Sequence, residues 1–487
     1  MSHNDIRPAM NRRTALKAAA AAGVTGSVGL WGLRSALPAS ASPAFAHPGM
    51  LHTRADLDRM AAKVAAGTGR WAAGYAKLAA NRHAQSTWKA NPQAVVYRGA
   101  GSENYPTQYH DIHAAYQNAL RWRITGETAH ADAARDILNA WSAKLTKLDG
   151  SADRFILAGI HGYQFANAAE LMRDYPGFDL ARFQRMMLHV FYPVNDSFLT
   201  DHNGAYITNY WASWDLLSVA SVLAIGILCD DRAKVDQAVT YFRNGAGNGS
   251  VRHAIPVIHP GGLGQVTEVG RDQGHALLSI GLMATICEMA WNQGVDLYGY
   301  DDNRFLKGAE YAAKWNLGQN VPYTPYTWHK GAPSVWSGTD TFTAASPDSR
   351  GQIRPIWEGI YHHYVNRRGL TAPYVTAMAS RVRPEGGGGD YGPNSGGFDH
   401  LGFGTLVFTR ERAGGPAAAH PTAAASPSDV PTAHRTGTTA GGAAPQGGGR
   451  GLAATGAGGL SAIAGTGVLA TAVGFLALRR RRHQASR

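Results

Sequence analysis

The chain has 487 residues, 44% apolar and only 16% charged, which is enough apolar chain for a large core and excludes a collagen, a coiled coil or a wholly disordered polymer. The formal charge of +12 invites a nucleic-acid partner, but residues 1–46 carry +4 and residues 456–487 carry +5, leaving +3 for residues 47–455. The basicity belongs to two terminal segments, and no nucleic-acid partner is expected.

The first segment reads Asn11-Arg12-Arg13-Thr14-Ala15-Leu16-Lys17, then an Ala/Gly/Val-rich stretch, then Ala44-Phe45-Ala46, a small-x-small cleavage site. That is the layout of a twin-arginine signal peptide, 1–46, which hands a folded protein to the twin-arginine translocase. The mature chain is expected to begin near His47.

Helical periodicity dominates from there to about residue 382. A first helix is predicted over 54–80. Five helix pairs follow: 107–124 with 129–145, 156–173 with 179–192, 209–228 with 232–244, 275–292 with 303–316, and 353–367 with 371–382. One member of each pair opens on aromatic and hydrogen-bonding residues: Tyr105 to His113, His161 to Gln164, Asn209 to Trp211, Arg271 to His275, and Arg354 to Trp357. The other member is a plainer amphipathic helix. Inner helices that all start at one rim of a central cleft, with outer helices returning through solvent, produce this alternation. The expected fold is all-α, an incomplete (α/α) toroid of helix hairpins; an ordinary helical solenoid is the alternative. At 1.5 Å per residue His275 and Trp291 stand about 24 Å apart, so Tyr298 belongs to the far rim. The long loop 317–352, with Tyr323, Tyr326, Trp328 and His329, returns to the rim of His275.

Past 383 the pattern turns to glycines 386–389 and a weakly alternating run, 402–408. A small irregular or β addition is expected over 383–410, with a mobile loop over the cleft. Residues 411–451 are almost all Gly, Ala, Pro, Ser and Thr, a disordered spacer. The last segment, 452–487, holds Leu452-Ala453-Ala454-Thr455-Gly456, an apolar stretch 460–478 long enough to cross a bilayer, and then Arg479 to Arg482. It resembles the sorting signal of high-GC Gram-positive bacteria. The resemblance implies that a sortase cuts between Thr455 and Gly456 and joins Thr455 to peptidoglycan; a plain membrane anchor is the alternative. Either way the folded unit, 47–410, lies outside the cell. Cys229 and Cys287 sit in apolar helical runs, as two thiols or one bridge, and no Cys/His metal spacing is present.

The rim cluster holds Asn209, Glu268, Arg271, His275, Arg354 and, one to two turns into its helix, Tyr361. In a uronic-acid polymer the C5 proton becomes removable once the neighbouring carboxylate is neutralised by an amide or arginine. A His or Tyr then takes the proton and a Tyr protonates the leaving oxygen. A glycoside hydrolase needs two opposed carboxylates instead. Glu268, Asp272, Asp111 and Glu358 are available, with no spacing that singles out a pair. A third reading is a non-catalytic, wall-displayed glycan-binding protein using the same cleft.

The segments Ala114 to Gly126, Ile137 to Trp141, Gly162 to Leu171, Asn209 to Trp214 and Glu268 to His275 resemble the alginate lyase superfamily of (α/α)-toroid polysaccharide lyases, over about residues 48–382. The resemblance implies β-elimination of a uronate polymer, an acidic polysaccharide, leaving a 4,5-unsaturated end; by default no metal or other cofactor is expected. Asn209 corresponds in outline to the carboxylate-neutralising position, although Thr208-Asn209 precedes Tyr210-Trp211 where those enzymes have an Asn-His pair, so the adjacent His is missing. Glu268 and His275, with Arg271 between them, occupy the places of an Arg and a catalytic Tyr. The expected catalytic set is therefore Asn209 as neutraliser with help from Arg271 or Arg354, His275 as base, Glu268 setting the His tautomer or joining in neutralisation, and Tyr361 as acid, with Tyr326 next in line. Arg354, Trp211, Tyr163, Gln164, His113 and Tyr326 are expected to bind substrate.

Overall fold

Residues 44–99, 101, 103–393 and 395–412 are described by the computed structural model. The signal residues before Ala44, the spacer beyond Arg412 and the sorting element fall outside the described residues. Helix α1 (Arg54–Ala65) opens on a reciprocal cap: Asp56 N–H donates to Thr53 Oγ1 at 3.2 Å and Thr53 N–H donates to Asp56 Oδ2 at 3.0 Å. Such a cap contributes about 1 kcal/mol. Gly67, at φ 63°, breaks the expected single helix, so 69–80 forms a separate α2 (Gly69–Ala80).

The five pairs follow as read. They are α3 (Tyr105–Thr125) with α4 (Thr128–Lys144), then α5 (Asp153–Met172) with α6 (Leu180–Met186), which runs through a π turn into α7 (Tyr192–Asp201). Next come α8 (Ala212–Leu228) with α9 (Arg232–Asn244), and a one-turn α10 (Val251–Ala254). Then α11 (Gln273–Asn292) pairs with α12 (Tyr300–Asn316), and α13 (Trp357–Tyr361), continued by a π turn, with α14 (Pro373–Val382). A last turn, α15 (Gly404–Val407), packs on α2.

Sequence separates the two layers. Helix α8, ASWDLLSVASVLAIGIL, is apolar all round and must be surrounded; α5 and α11 flank it. Helix α9 buries only Val235, Ala238, Val239 and Phe242, a single stripe, and faces solvent with the rest. Helix α11 is long and apolar enough to cross a membrane, but it is a core helix of this ring. The α5–α8 contact is close because a Cβ at Gly159 or Gly162 would stand 2.1 Å from Leu217 or Ser221. The inner helices α3, α5, α8, α11 and α13 touch in succession, an incomplete (α/α) toroid.

The β structure lies elsewhere than expected. Strands β1 (Val95–Arg98) and β2 (Lys147–Gly150) pair in parallel, and β3 (Val257–Ile258) and β4 (Gly264–Gln265) pair antiparallel. The aromatic loop carries a hairpin, β5 (Tyr326–Ala332) with β6 (Val335–Phe342), in the register Tyr326 to Phe342. Among the described residues, the region 383–410 has the isolated bridge Gly387–Gly402, a 3-10 turn at Ser395–Gly397 and α15, and no paired strands.

Nor is that region a lid. Phe398 stacks on Tyr109 of α3 at 4.5 Å, Tyr163 of α5 donates to the Asp399 carbonyl at 2.5 Å, and the His400 ring stands against Gly281 of α11. Residues 398–400 are thus inserted among the inner helices as a plug. Cys229 and Cys287 are free thiols. Tyr298 is buried near the C-terminal end of α11, where its hydroxyl donates to Glu288.

Candidate active site

A cleft of about 460 Å³ opens where the inner helices begin, and Arg98, Tyr105, Ser213, His275, Arg354 and Asp399 are among its lining. His275 owes its place to a helix cap. Asp272 is the N-cap of α11: its Oδ1 accepts the backbone N–H of His275 at 2.8 Å, and its Oδ2 accepts from the ring Nδ1 of the same residue at 2.7 Å. With Nδ1 holding the hydrogen, Nε2 carries the lone pair. The Arg271 Nη2 donates to Nε2 over a long 3.3 Å, and its guanidinium lies 5.4 Å from the Trp211 ring centre.

Burial acts to raise the Asp272 carboxyl, but the bonds from His275 and the charge of Arg271 outweigh it and hold it below the usual range. Glu268 is fully buried behind this pair. Burial pushes its carboxyl up, against the pull of His275, Arg271 and two serines. Those serines are Ser213, donating at 2.8 Å, and Ser279, donating at 2.6 Å.

The β5–β6 hairpin fixes the neighbouring wall. Trp328 Nε1 donates to the carbonyls of Thr208 (3.1 Å) and Asn209 (2.9 Å), and Gly331 N–H donates to Asn209 Oδ1 at 2.6 Å. Asn209 is neither the cap of α8, which is Trp211, nor among the side chains lining the cleft; it staples its loop to the hairpin. Trp211 is buried between Trp328, Phe342 and Arg271. Tyr326 lies 6.1 Å from Trp211, and burial, with the Glu268 charge, pushes its phenol up to about 12.

Four other expected residues take different places. Tyr361 is turned from the cleft, its ring 5.6 Å from the Arg383 guanidinium. Tyr163, Gln164 and His113 are fully buried and bind the plug in place of a sugar: Gln164 Nε2 donates to the Phe398 carbonyl at 2.8 Å and His113 Nε2 does so at 3.1 Å. Arg354 does line the cleft, with Nη1 donating to Asp399 Oδ2 at 3.0 Å.

The tyrosine that lines the cleft is Tyr105, at the first position of α3, with the Arg98 guanidinium 4.7 Å from its ring centre. Its signal was its place in the first aromatic helix start. Asp399 had no signal, because it follows a glycine run without periodicity.

The carboxylates that a hydrolase would draw on are committed elsewhere. Asp111 accepts from Trp88, Trp141 and the Asn91 N–H, and Glu358 from Arg383 and Thr405. Asp272 and Glu268 are held as above. Among the described residues, no group of three or more His, Cys, Asp or Glu is gathered to hold a metal ion.

The fold and this cleft define a polysaccharide lyase of the (α/α)-toroid kind. The family model described as alginate lyase matches residues 58–321, more than half the chain, and the chain belongs to that family. None of the curated proteins matches it in sequence. Among solved structures, alginate lyase A1-III from Sphingomonas species A1 aligns with a TM-score of 0.50 and 14% identity over 75% of this chain and 97% of that one. A substituted form of alginate lyase A1-III complexed with a tetrasaccharide gives 0.50 and 14% over 74% and 95%. An alginate lyase from Bacteroides ovatus aligns at 0.48 and 12%, covering 75% and 100%.

Proposed function

We propose that the cleft cleaves a uronate polymer of the alginate kind by β-elimination. The observation that carries this reading is the arrangement of Arg271 and His275 around one nitrogen, in a cleft that also presents Tyr105. A substrate carboxylate is a stronger acceptor for Arg271 than a neutral ring nitrogen. It draws the guanidinium off Nε2, and the same movement neutralises the carboxylate and frees the base. His275 takes the C5 proton, the electron pair forms the C4–C5 double bond, and the C4–O bond breaks. Tyr105 gives its phenolic proton to the departing glycosidic oxygen. The products are a shortened polymer and a 4,5-unsaturated uronate end.

The test is the ultraviolet absorbance of that unsaturated end when residues 44–412 are mixed with alginate, glucuronan and glycosaminoglycans. A rise is expected on at least one. Reducing sugar without absorbance means hydrolysis, and binding without either product means a lectin-like protein.

The same reading places the enzyme outside the cell as a domain of about 47–410, exported by the twin-arginine route and joined through Thr455 to the wall. The paired arginines at 12–13, the Leu452 to Gly456 element and the arginines 479–482 support it. Cell fractionation tests it: release of the lyase by a wall hydrolase is expected, and retention in the membrane pellet means a plain anchor.

A further inference from the structure

We propose that Arg354 and Asp399 together hold two neighbouring ring hydroxyls of the uronate polymer, and that this pair makes the enzyme reject O-acetylated sugars. The inference rests on the lyase reading above and adds a specificity determinant to it.

Arg354 is 5% exposed and Asp399 7%, yet both line the cleft that holds His275. Arg354 Nη1 donates to Asp399 Oδ2 at 3.0 Å and to the Gly396 carbonyl over a long 3.4 Å. Arg354 Nη2 and Asp399 Oδ1 make no hydrogen bond among the described residues, and neither is sealed from solvent; of the Arg354 nitrogens only Nε is both buried and unpartnered. One open donor and one open acceptor therefore stand side by side on the cleft wall. The backbone behind them is already held, because Tyr163 donates to the Asp399 carbonyl and Phe398 stacks on Tyr109. Little ordering is left to be done when a sugar arrives.

Such a pair suits a diol and not a carboxylate. A carboxylate only accepts, so it would bring a second negative charge up to Asp399 Oδ1, where burial leaves the repulsion poorly screened. Two vicinal hydroxyls fit both atoms. One donates to Oδ1 and its neighbour accepts from Nη2, each bond strengthened by the charge of the side chain. In a 1,4-linked pyranuronate the free neighbours are the 2- and 3-hydroxyls, since C1 and C4 carry the links and C5 the carboxylate. The substrate carboxylates are left to Arg271 and to Arg98, which lines the cleft and has no carboxylate at ion-pair distance among the described residues. An acetyl group on O2 or O3 removes the hydrogen or weakens the acceptor, and adds bulk against both side chains.

The experiment compares kcat/KM on alginate and on glucuronan, each before and after chemical O-acetylation, for the parent enzyme and for Asp399→Asn. The amide keeps the size of the side chain and an acceptor for Arg354, but it loses the charged acceptor for the hydroxyl. Acetylation is expected to lower kcat/KM of the parent by about 10- to 100-fold, the worth of a hydrogen bond to a charged group. Asp399→Asn should lose activity on the plain polymer, mainly through KM, and shrink that acetylation penalty to a few-fold. The parent ratio needs no variant and decides on its own if Asp399→Asn does not fold. Equal rates of the parent on plain and acetylated polymer, or an unchanged penalty in a folded Asp399→Asn, overturn the proposal and leave the lyase reading standing. No unsaturated product from either plain polymer overturns the lyase reading and this inference with it.

Discussion

Asp272 binds His275 twice, through the backbone N–H at 2.8 Å and through ring Nδ1 at 2.7 Å. One carboxylate therefore starts helix α11 and fixes the tautomer of the imidazole that the helix presents to the cleft. The first prediction separates those duties. Asp272→Asn keeps a good helix cap and removes the charge beside the ring. An amide can donate to the ring nitrogen as well as accept from it, so the hydrogen is no longer fixed on Nδ1. The maximal rate is expected to fall, because the ring is no longer held in one tautomer. His275→Gln is expected to lose about 10²- to 10⁴-fold in kcat, the usual worth of a positioned general base. An Asp272→Asn variant with an unchanged kcat would mean that Asp272 does not fix the ring for catalysis.

A second prediction sets Tyr105 against Tyr361. Tyr105 lines the cleft beside Arg98, whereas Tyr361 lies under Arg383 and away from it. Tyr105→Phe removes the proton for the leaving oxygen and should lower kcat by about 10²-fold or more with KM little changed. Tyr361→Phe should leave both constants near those of the parent enzyme. Steady-state kinetics on the best polyuronate decides the matter, and the reverse order would return the acid role to Tyr361.

The contrast between these tyrosines marks how far the sequence carries. The ring of helices could be read because burial on all sides leaves an apolar helix such as α8, and burial on one side leaves a stripe such as that of α9. The place of His275 at the rim could be read because it stands in a helix start rich in hydrogen-bonding residues; that Asp272, three residues before it, caps the helix and holds its ring is what the structure adds. Tyr163, Gln164 and His113 are polar residues near inner-helix starts and read as sugar contacts. Their partners are residues 398 and 399, more than 230 positions away, in a segment with no periodicity to place it. Tyr361 was misplaced for a related reason. Its helix is known from spacing, but which side meets Arg383 depends on how α14 returns.

The plug supplies a third prediction. Tyr163 donates to the Asp399 carbonyl, and the Asp399 carboxylate holds Arg354 in the cleft wall. Tyr163→Phe leaves a buried carbonyl without that donor, at a cost of about 1–3 kcal/mol. The thermal midpoint should fall, and KM should rise more than kcat falls, because Arg354 loses its fixed partner while His275 keeps Asp272. Equal loss in both constants with no change in stability would mean that the plug does not position the arginine.

The last prediction concerns acid. His52 and His113 are buried, and burial lowers each ring to about 4, well under the ordinary value near 6.5. The neighbouring Asp56 and Glu288 charges at His52, and the Phe398 carbonyl at His113, oppose that shift without cancelling it. Between about pH 6.5 and 4 the unfolded chain binds a proton at each site and the folded chain does not. The unfolded state thus holds more protons, and stability falls as pH falls through that window, by about 3 kcal/mol for each ring across its full width. Thermal midpoints measured from pH 7 to pH 5 should drop steadily. His113→Asn should flatten the slope, even though it weakens the plug, because one of the rings that the unfolded chain protonates and the folded chain does not is then gone. A midpoint that holds level over this range would mean that these rings take up protons inside the fold.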